Sequence, residues 1–173
     1  MIRAPIDIFQ NAWVVDDLEA AMQKWLTTFG VGPFFVAEHI KVADFKNRGR
    51  ASDLDFSVAL AQAGTVQVEL IVQHNEVPSL YRDLVPAGAD GFHHVGIFAK
   101  DYDRELAAYV DGGCEIAAEG RFGSMRFAYV DTSPSLGFML EILEESTMMR
   151  DHFKMIADAA RGWNGKDPVR SAW

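Results

Sequence analysis

Cysteine is nearly absent from this sequence: Cys114 is the only one in 173 residues. A single thiol excludes an internal disulfide and makes a reducing cytoplasm the expected compartment. Placed after Gly112-Gly113 at a strand start, Cys114 reads as a small buried residue rather than a nucleophile. Positive charge is also scarce. The chain carries 16 Lys+Arg against 25 Asp+Glu, a formal net charge of -9. That balance argues against nucleic-acid binding, which needs a basic surface, and gives no attraction to anionic membranes. Apolar runs long enough to span a bilayer are missing. The first residues, Met1-Ile2-Arg3-Ala4-Pro5, show no extended apolar segment, so no signal peptide is expected. These exclusions leave an ordinary soluble globular class, with 49% hydrophobic and 24% charged residues. The length suffices for one core or for two small fused modules.

What the sequence does contain is a repeat. Gly91-Phe92-His93-His94-Val95-Gly96-Ile97-Phe98-Ala99-Lys100-Asp101-Tyr102 reads as a strand running into a helix start. A weaker copy is Ile8-Phe9-Gln10-Asn11-Ala12-Trp13-Val14-Val15-Asp16-Asp17-Leu18. Aligning Asp17 with Asp101 sets Gln10 opposite His94. Each copy is followed by a strand carrying a carboxylate: Val68-Glu69-Leu70 in the first, Leu140-Glu141-Ile142 in the second.

The intervening segments agree. Asp16 or Asp17 can cap a helix whose apolar face is Leu18, Met22, Trp25, Leu26 and Phe29, with Gly30 ending it. Strands are expected over 34–40, 54–61 and 65–73, with a long exposed loop over 41–53. In the second copy Asp101 caps a helix with face Tyr102, Leu106, Tyr109 and Val110, ended by Gly112-Gly113. Strands follow over 114–119, 125–131 and 137–143. Both units read as β-α-β-β-β. The expected modules are 5–75 and 90–146, joined by a linker over 76–89 with a short helix near 79–84. A C-terminal helix over 147–165 presents Met149, Phe153, Ile156, Ala160 and Trp163. It is expected to pack on the body, on a sister subunit or over the site mouth. The tail over 166–173 reads as mobile, with a terminal aromatic able to dock. Gln10 to Glu69 spans 59 positions and His94 to Glu141 spans 47, and the 12 extra residues are assigned to the loop at 41–53.

Strand alternation puts Gln10, Glu69, His94 and Glu141 each on a mainly apolar face. Singly, each has an ordinary reading: a core histidine, a rim or wet-face carboxylate, an amide with no task. Recurring at equivalent positions, they point to a divalent metal, which would relieve the repulsion of two converging carboxylates. Alternation places His93 on the opposite face in a structural role. His39, His74 and His152 have no partner identifiable from sequence.

These segments resemble the vicinal oxygen chelate superfamily, which includes glyoxalase I, methylmalonyl-CoA epimerase, extradiol dioxygenases and bleomycin resistance proteins. The resemblance covers residues 6–144 and is carried by Gln10…Asp17-Leu18, Val68-Glu69-Leu70, His94-Val95-Gly96…Asp101 and Gly137-Phe138-Met139-Leu140-Glu141. It implies an α+β fold in which two tandem βαβββ modules pair into a cup-shaped mixed β-sheet barrel, here with a C-terminal helix added. It implies the metal ligands Gln10, Glu69, His94 and Glu141 for zinc, nickel, cobalt, manganese or iron, a set similar to that of some glyoxalase I enzymes and close to the epimerase set. The implied activity is that of a lyase or isomerase that moves a proton next to a carbonyl through an enediolate or enolate. Glu141 is the first candidate for the proton-transferring carboxylate and Glu69 the second. The expected partner is a small substrate with adjacent oxygens, and a homodimer is expected.

Two alternatives stand beside it. One is a non-catalytic binder of a small hydrophobic ligand. The other is an iron-dependent dioxygenase, which Gln10 in a histidine position disfavours. Arg48, Arg50, Arg121 and Arg126 are available to clamp an anionic substrate. Phe34, Phe35, Phe45, Phe98 and Met139 are candidates for an apolar pocket.

Overall fold

Two aspartates start the two long outer helices. In α1 (Leu18–Phe29) the Asp17 carboxylate accepts the Ala20 N–H, and Gly30 closes the last turn in the left-handed conformation, φ 66°. In α3 (Tyr102–Val110) Asp101 accepts the Arg104 N–H. The computed structural model describes residues 5–172.

Before α1 comes β1 (Ile8–Val14). After it come β2 (Phe34–Ala37), β3 (Ala43–Asn47), β4 (Arg50–Ala51), β5 (Phe56–Ala63) and β6 (Val66–Gln73). A short α2 (Leu80–Leu84) leads to β7 (Gly91–Ala99). Past α3 lie β8 (Glu115–Phe122), β9 (Met125–Asp131), α4 (Ser133–Leu136), β10 (Met139–Glu144), α5 (Thr147–Ala160) and β11 (Val169–Ser171). The strands form one curled sheet in the order β11-β2-β5-β6-β1-β7-β10-β9-β8-β3-β4.

The repeat is visible in this order. In each half the first strand pairs parallel with the last, β1 with β6 and β7 with β10, and the halves meet where β1 runs antiparallel to β7. It is equally visible in packing. One apolar cluster, with Met22, Phe34 and Leu70, lies under α1, and a second, with Tyr102, Val130 and Ile142, lies under α3. The third and largest fills the concave side, where α2 and α5 contribute Leu80, Tyr81, Met149 and Ile156. Central strands are therefore covered on both faces, which is why β10 reads as almost unbroken apolar sequence around Glu141.

Several expectations need correction. The exposed loop at 41–53 is instead the β3–β4 hairpin, and β3 pairs with β8 of the other half. Its alternation is weak because both faces of this edge are largely solvated. The tail is not loose: β11 adds parallel to β2, and Ala172 is buried; Trp173 lies outside the described residues. Phe29 is 69% exposed and Val110 42%, so each sits beyond the buried stripe of its helix. Cys114 is half-buried against the cluster under α3. The C-terminal helix α5 packs on the body, against β5, and its Met148, Met149, His152 and Phe153 also line the cavity.

Candidate metal centre

The site is built from two adjacent cross-strand rows on β6, β1, β7 and β10. In one row Ala12 stands between Glu69 and His94, its neighbours in register. In the next, Gly96 stands between Gln10 and Glu141. The two rows are related by the repeat: Gln10 corresponds to His94, Ala12 to Gly96, and Glu69 to Glu141. A small residue in the middle of each row leaves room above it. A Cβ added at Gly96 would lie 2.9 Å from Gln10 Oε1.

Bulges complete the symmetry. The β1–β7 register slips twice, leaving Phe9 as the extra residue on β1 and His93 as the extra residue on β7. Each immediately precedes a proposed ligand, and a bulge re-aims the side chains around it. The assignment of His93 to the opposite face is thereby overturned. His93 lies beside His94, both fully buried, with their Nδ1 atoms 3.0 Å apart.

Hydrogen bonding around the pair has one consistent direction. The Leu80 carbonyl can only accept, so His93 Nε2 donates to it at 3.0 Å. His93 Nδ1 is then the acceptor and His94 Nδ1 the donor, which leaves His94 Nε2 facing the carboxylates. Burial first, and then the charge of His94, push the His93 pKa down to about 3, against the Leu80 carbonyl and Asp131. His93 is thus neutral, as this arrangement requires.

His94 Nε2 lies 3.3 Å from Glu69 Oε2 and 3.6 Å from Glu141 Oε2. Burial by itself would lower the His94 pKa. The facing carboxylates, Glu141 and then Glu69, outweigh it and raise the value to about 9. Glu69 is shifted up by burial and by Glu141, opposed by His94. The hydroxyls of Tyr81 and Tyr129 are held well above their ordinary range, by burial and then by the two carboxylate charges.

A divalent ion fits this donor set. One ligand atom each from Glu69, His94 and Glu141 lie within 4.8 Å of one another. Gln10 Nε2 donates to Gln67 Oε1 at 2.7 Å, which turns Gln10 Oε1 away from that bond. Gln10 Oε1, Glu69 Oε2 and His94 Nε2 are all buried with no hydrogen-bond partner among the described residues. Glu69 Oε2 and His94 Nε2 face each other at 3.3 Å without an aligned hydrogen bond, beside a Gln10 Oε1 that has none, an arrangement that is costly unless something fills the gap. A cation held by an amide oxygen, an imidazole and two carboxylates would satisfy all three.

Above the four side chains opens a cavity of about 560 Å³, which Gln10, Glu69 and Glu141 help line. Of the five pocket candidates named from sequence, only Phe45 lines it. Phe34 packs under α1, while Phe35, Phe98 and Met139 belong to the core around the cavity. Sequence reasoning missed the rest of the wall, including Phe56, Tyr81, Phe127 and Tyr129. Their alternation with other buried residues gave no sign of which face was hollow. Histidines left without partners have them: His39 Nδ1 meets the Asp55 carboxylate at 2.8 Å, and His74 Nε2 the Ser57 hydroxyl at 2.6 Å. His152 on α5 lines the cavity.

Residues 9–129 match the sequence model of the family described as Glyoxalase/Bleomycin resistance protein/Dioxygenase superfamily. The chain belongs to that superfamily. No curated protein matches the sequence. Among solved structures, the chain resembles methylmalonyl-CoA epimerase from Mycobacterium tuberculosis at 12% identity and TM-score 0.57, covering 87% of this chain and 97% of that one. A hypothetical protein from Bacillus halodurans C-125 matches at 12% identity and TM-score 0.58, over 81% and 94%. A methylmalonyl-CoA epimerase variant from Streptomyces coelicolor, in complex with 2-nitronate-propionyl-CoA, matches at 16% identity and TM-score 0.52, over 83% and 100%. At such identities the likeness is one of fold.

Proposed function

We propose that this chain is a divalent-metal-dependent lyase or isomerase of the glyoxalase or epimerase kind, moving a proton next to a carbonyl. The observation that carries the reading is the convergence of three buried atoms that make no hydrogen bond, Gln10 Oε1, Glu69 Oε2 and His94 Nε2, beside the Glu141 carboxylate. Gln10, Glu69, His94 and Glu141 would hold the ion, which when bound supplies Lewis-acid polarisation of two neighbouring substrate oxygens. Glu141 takes the proton from the carbon beside the carbonyl. Glu69 reaches the site from β6 and Glu141 from β10, with β1 and β7 between them. Carboxylates arriving from two sides suit delivery of a proton to the face opposite its removal. The wall is largely apolar and aromatic, a surrounding that strengthens electrostatic contacts at the floor. That two of the fold neighbours are epimerases points the same way.

The test is a metal assay of the purified full chain, followed by solvent-deuterium exchange with hemithioacetals, acyl-CoA esters and small hydroxy-ketones. One equivalent of metal, exchange that depends on it, and loss of exchange in Glu141→Gln with the fold retained are expected. Wild-type exchange in Glu141→Gln would remove Glu141 from its assigned role. The apolar cavity supports a second reading, a non-catalytic binder with the same cup. Persistent absence of metal, with no exchange after metal is added, decides for the binder.

A further inference from the structure

Two elements outside the repeat, the β3–β4 hairpin and α5, supply part of the cavity wall. The β3–β4 hairpin contributes Phe45, and α5 contributes Met148, Met149, His152 and Phe153. Phe153 is itself fixed by Phe9 and Phe98, with ring centroids 5.4 and 5.9 Å away. Phe56, Phe122 and Phe127 line the same cavity.

Cations are withdrawn from this space. Arg48 is spent on Asp83, Glu115 and Asp131, and Arg126 on Asp103 and Glu144. Arg150 pairs with Glu145 and lies over the Phe98 ring, while Arg121 faces Asp44. Among the described residues no arginine lines the cavity, and Lys41, exposed at the rim, is the one lysine that does. An anionic tail entering here would meet a mainly apolar wall on a chain of net charge -9, with only Lys41 at the rim to pair with.

We propose that the cavity takes a compact substrate with an uncharged aromatic or branched apolar body, its two neighbouring oxygens directed at Gln10, Glu69, His94 and Glu141, and not a glutathione or coenzyme A conjugate. This rests on the reading of the floor as a metal-dependent proton-transfer centre. The apolar body is selected by burial against rings and methionines, and the volume lies within the usual range for a small-ligand site. Conjugates are rejected because their charges find no partner.

The test uses the zinc-loaded full chain and measures dissociation constants for four probes. These are 2-hydroxyacetophenone, hydroxyacetone, the glutathione hemithioacetal of methylglyoxal, and a short acyl-CoA ester. The aromatic ketone is expected to bind at least about tenfold tighter than hydroxyacetone, since even one methylene is worth about that in an apolar pocket. It should also bind tighter than both conjugates. Phe153→Ala, on α5, and Phe45→Ala, on the hairpin, should each cut the aromatic preference severalfold, with Phe153→Leu restoring most of it. Equal binding of the two ketones, tighter binding of either conjugate, or a preference untouched by both alanine variants overturns the proposal. Deuterium exchange in the same samples separates the two readings. Exchange confined to a conjugate refutes the substrate class and leaves the chemistry standing. An intact aromatic preference with no exchange on any probe refutes the chemistry and leaves the substrate class standing.

Discussion

At Gly96 one methyl group decides whether the second row of the site can form. Its added Cβ would sit 2.9 Å from Gln10 Oε1 and 3.2 Å from Gln10 Cβ. Gly96→Val should therefore keep the fold by circular dichroism and lower metal affinity at least about tenfold, a loss of about 1.4 kcal/mol or more. Calorimetry on the metal-free chain checks this, and unchanged affinity would remove Gln10 from the ligand set. His93 makes a second prediction. Replacing it with Phe takes away the acceptor that orients His94, and loss of such a partner typically costs about 10–100-fold in metal affinity. His93→Gln, which can still accept from His94 Nδ1, should lose less; equal losses in the two variants would reduce His93 to a packing role. Gln10, Glu69, His94 and Glu141 could be picked out from sequence because each interrupts an apolar strand at an equivalent place in a repeat. His93 could not, because simple alternation fails at a bulge and the strand's apolar pattern carries no mark of one. The paired small residues Ala12 and Gly96, each two positions after a proposed ligand, were a signal in plain view whose meaning depends on the cross-strand register.

Among the elements, the β3–β4 hairpin departs most from its sequence expectation. Ala43-Asp44-Phe45-Lys46-Asn47 has one apolar residue facing the cup and charges around it, so its strand character comes from pairing with β8 rather than from its own pattern. Arg48, at the hairpin turn, fastens it to the body through Asp83 at 2.8 Å, Glu115 at 3.1 Å and Asp131 at 2.7 Å. Arg48→Met should cost about 1–2 kcal/mol in denaturant unfolding, since these partners are partly exposed. A smaller loss would mean that the pairing with β8 holds the hairpin alone. The same contact has a pH signature. Burial tends to raise the Asp131 pKa, but Ser133 and Arg48 outweigh it and bring it below the ordinary 3.8. A lowered carboxyl pKa adds stability that is present above pH 3.8 and is lost as pH falls through the folded value. Acid unfolding should therefore show a component below about pH 4 that shrinks in Arg48→Met; identical acid profiles would contradict the assignment. The helices were easier to read: α1, α3 and α5 carry caps or apolar stripes at helical spacing. The strand β11 was hidden because it is three residues long and mostly exposed.

Over the whole molecule, one plan is used twice. Each half places a helix on the convex side, over its own apolar cluster, and turns its first and last strands toward the shared concave side. Meeting at β1 and β7, the halves bring four polar side chains to a floor that neither could build alone. Duplication made this plan legible from residue spacing, whereas the shape of the cavity depends on α5 and the hairpin, which have no second copy to compare. Among the described residues no helix is long and apolar enough to cross a bilayer. The central claim is that residues 10, 69, 94 and 141 hold a single divalent cation. Equilibrium dialysis of the full chain against zinc, with Glu69→Gln, His94→Gln and Glu141→Gln alongside, tests it most directly. The account predicts one ion per wild-type chain and at least about tenfold weaker binding in each variant. Binding that survives all three substitutions unchanged, or wild-type protein that takes up no ion, would contradict it.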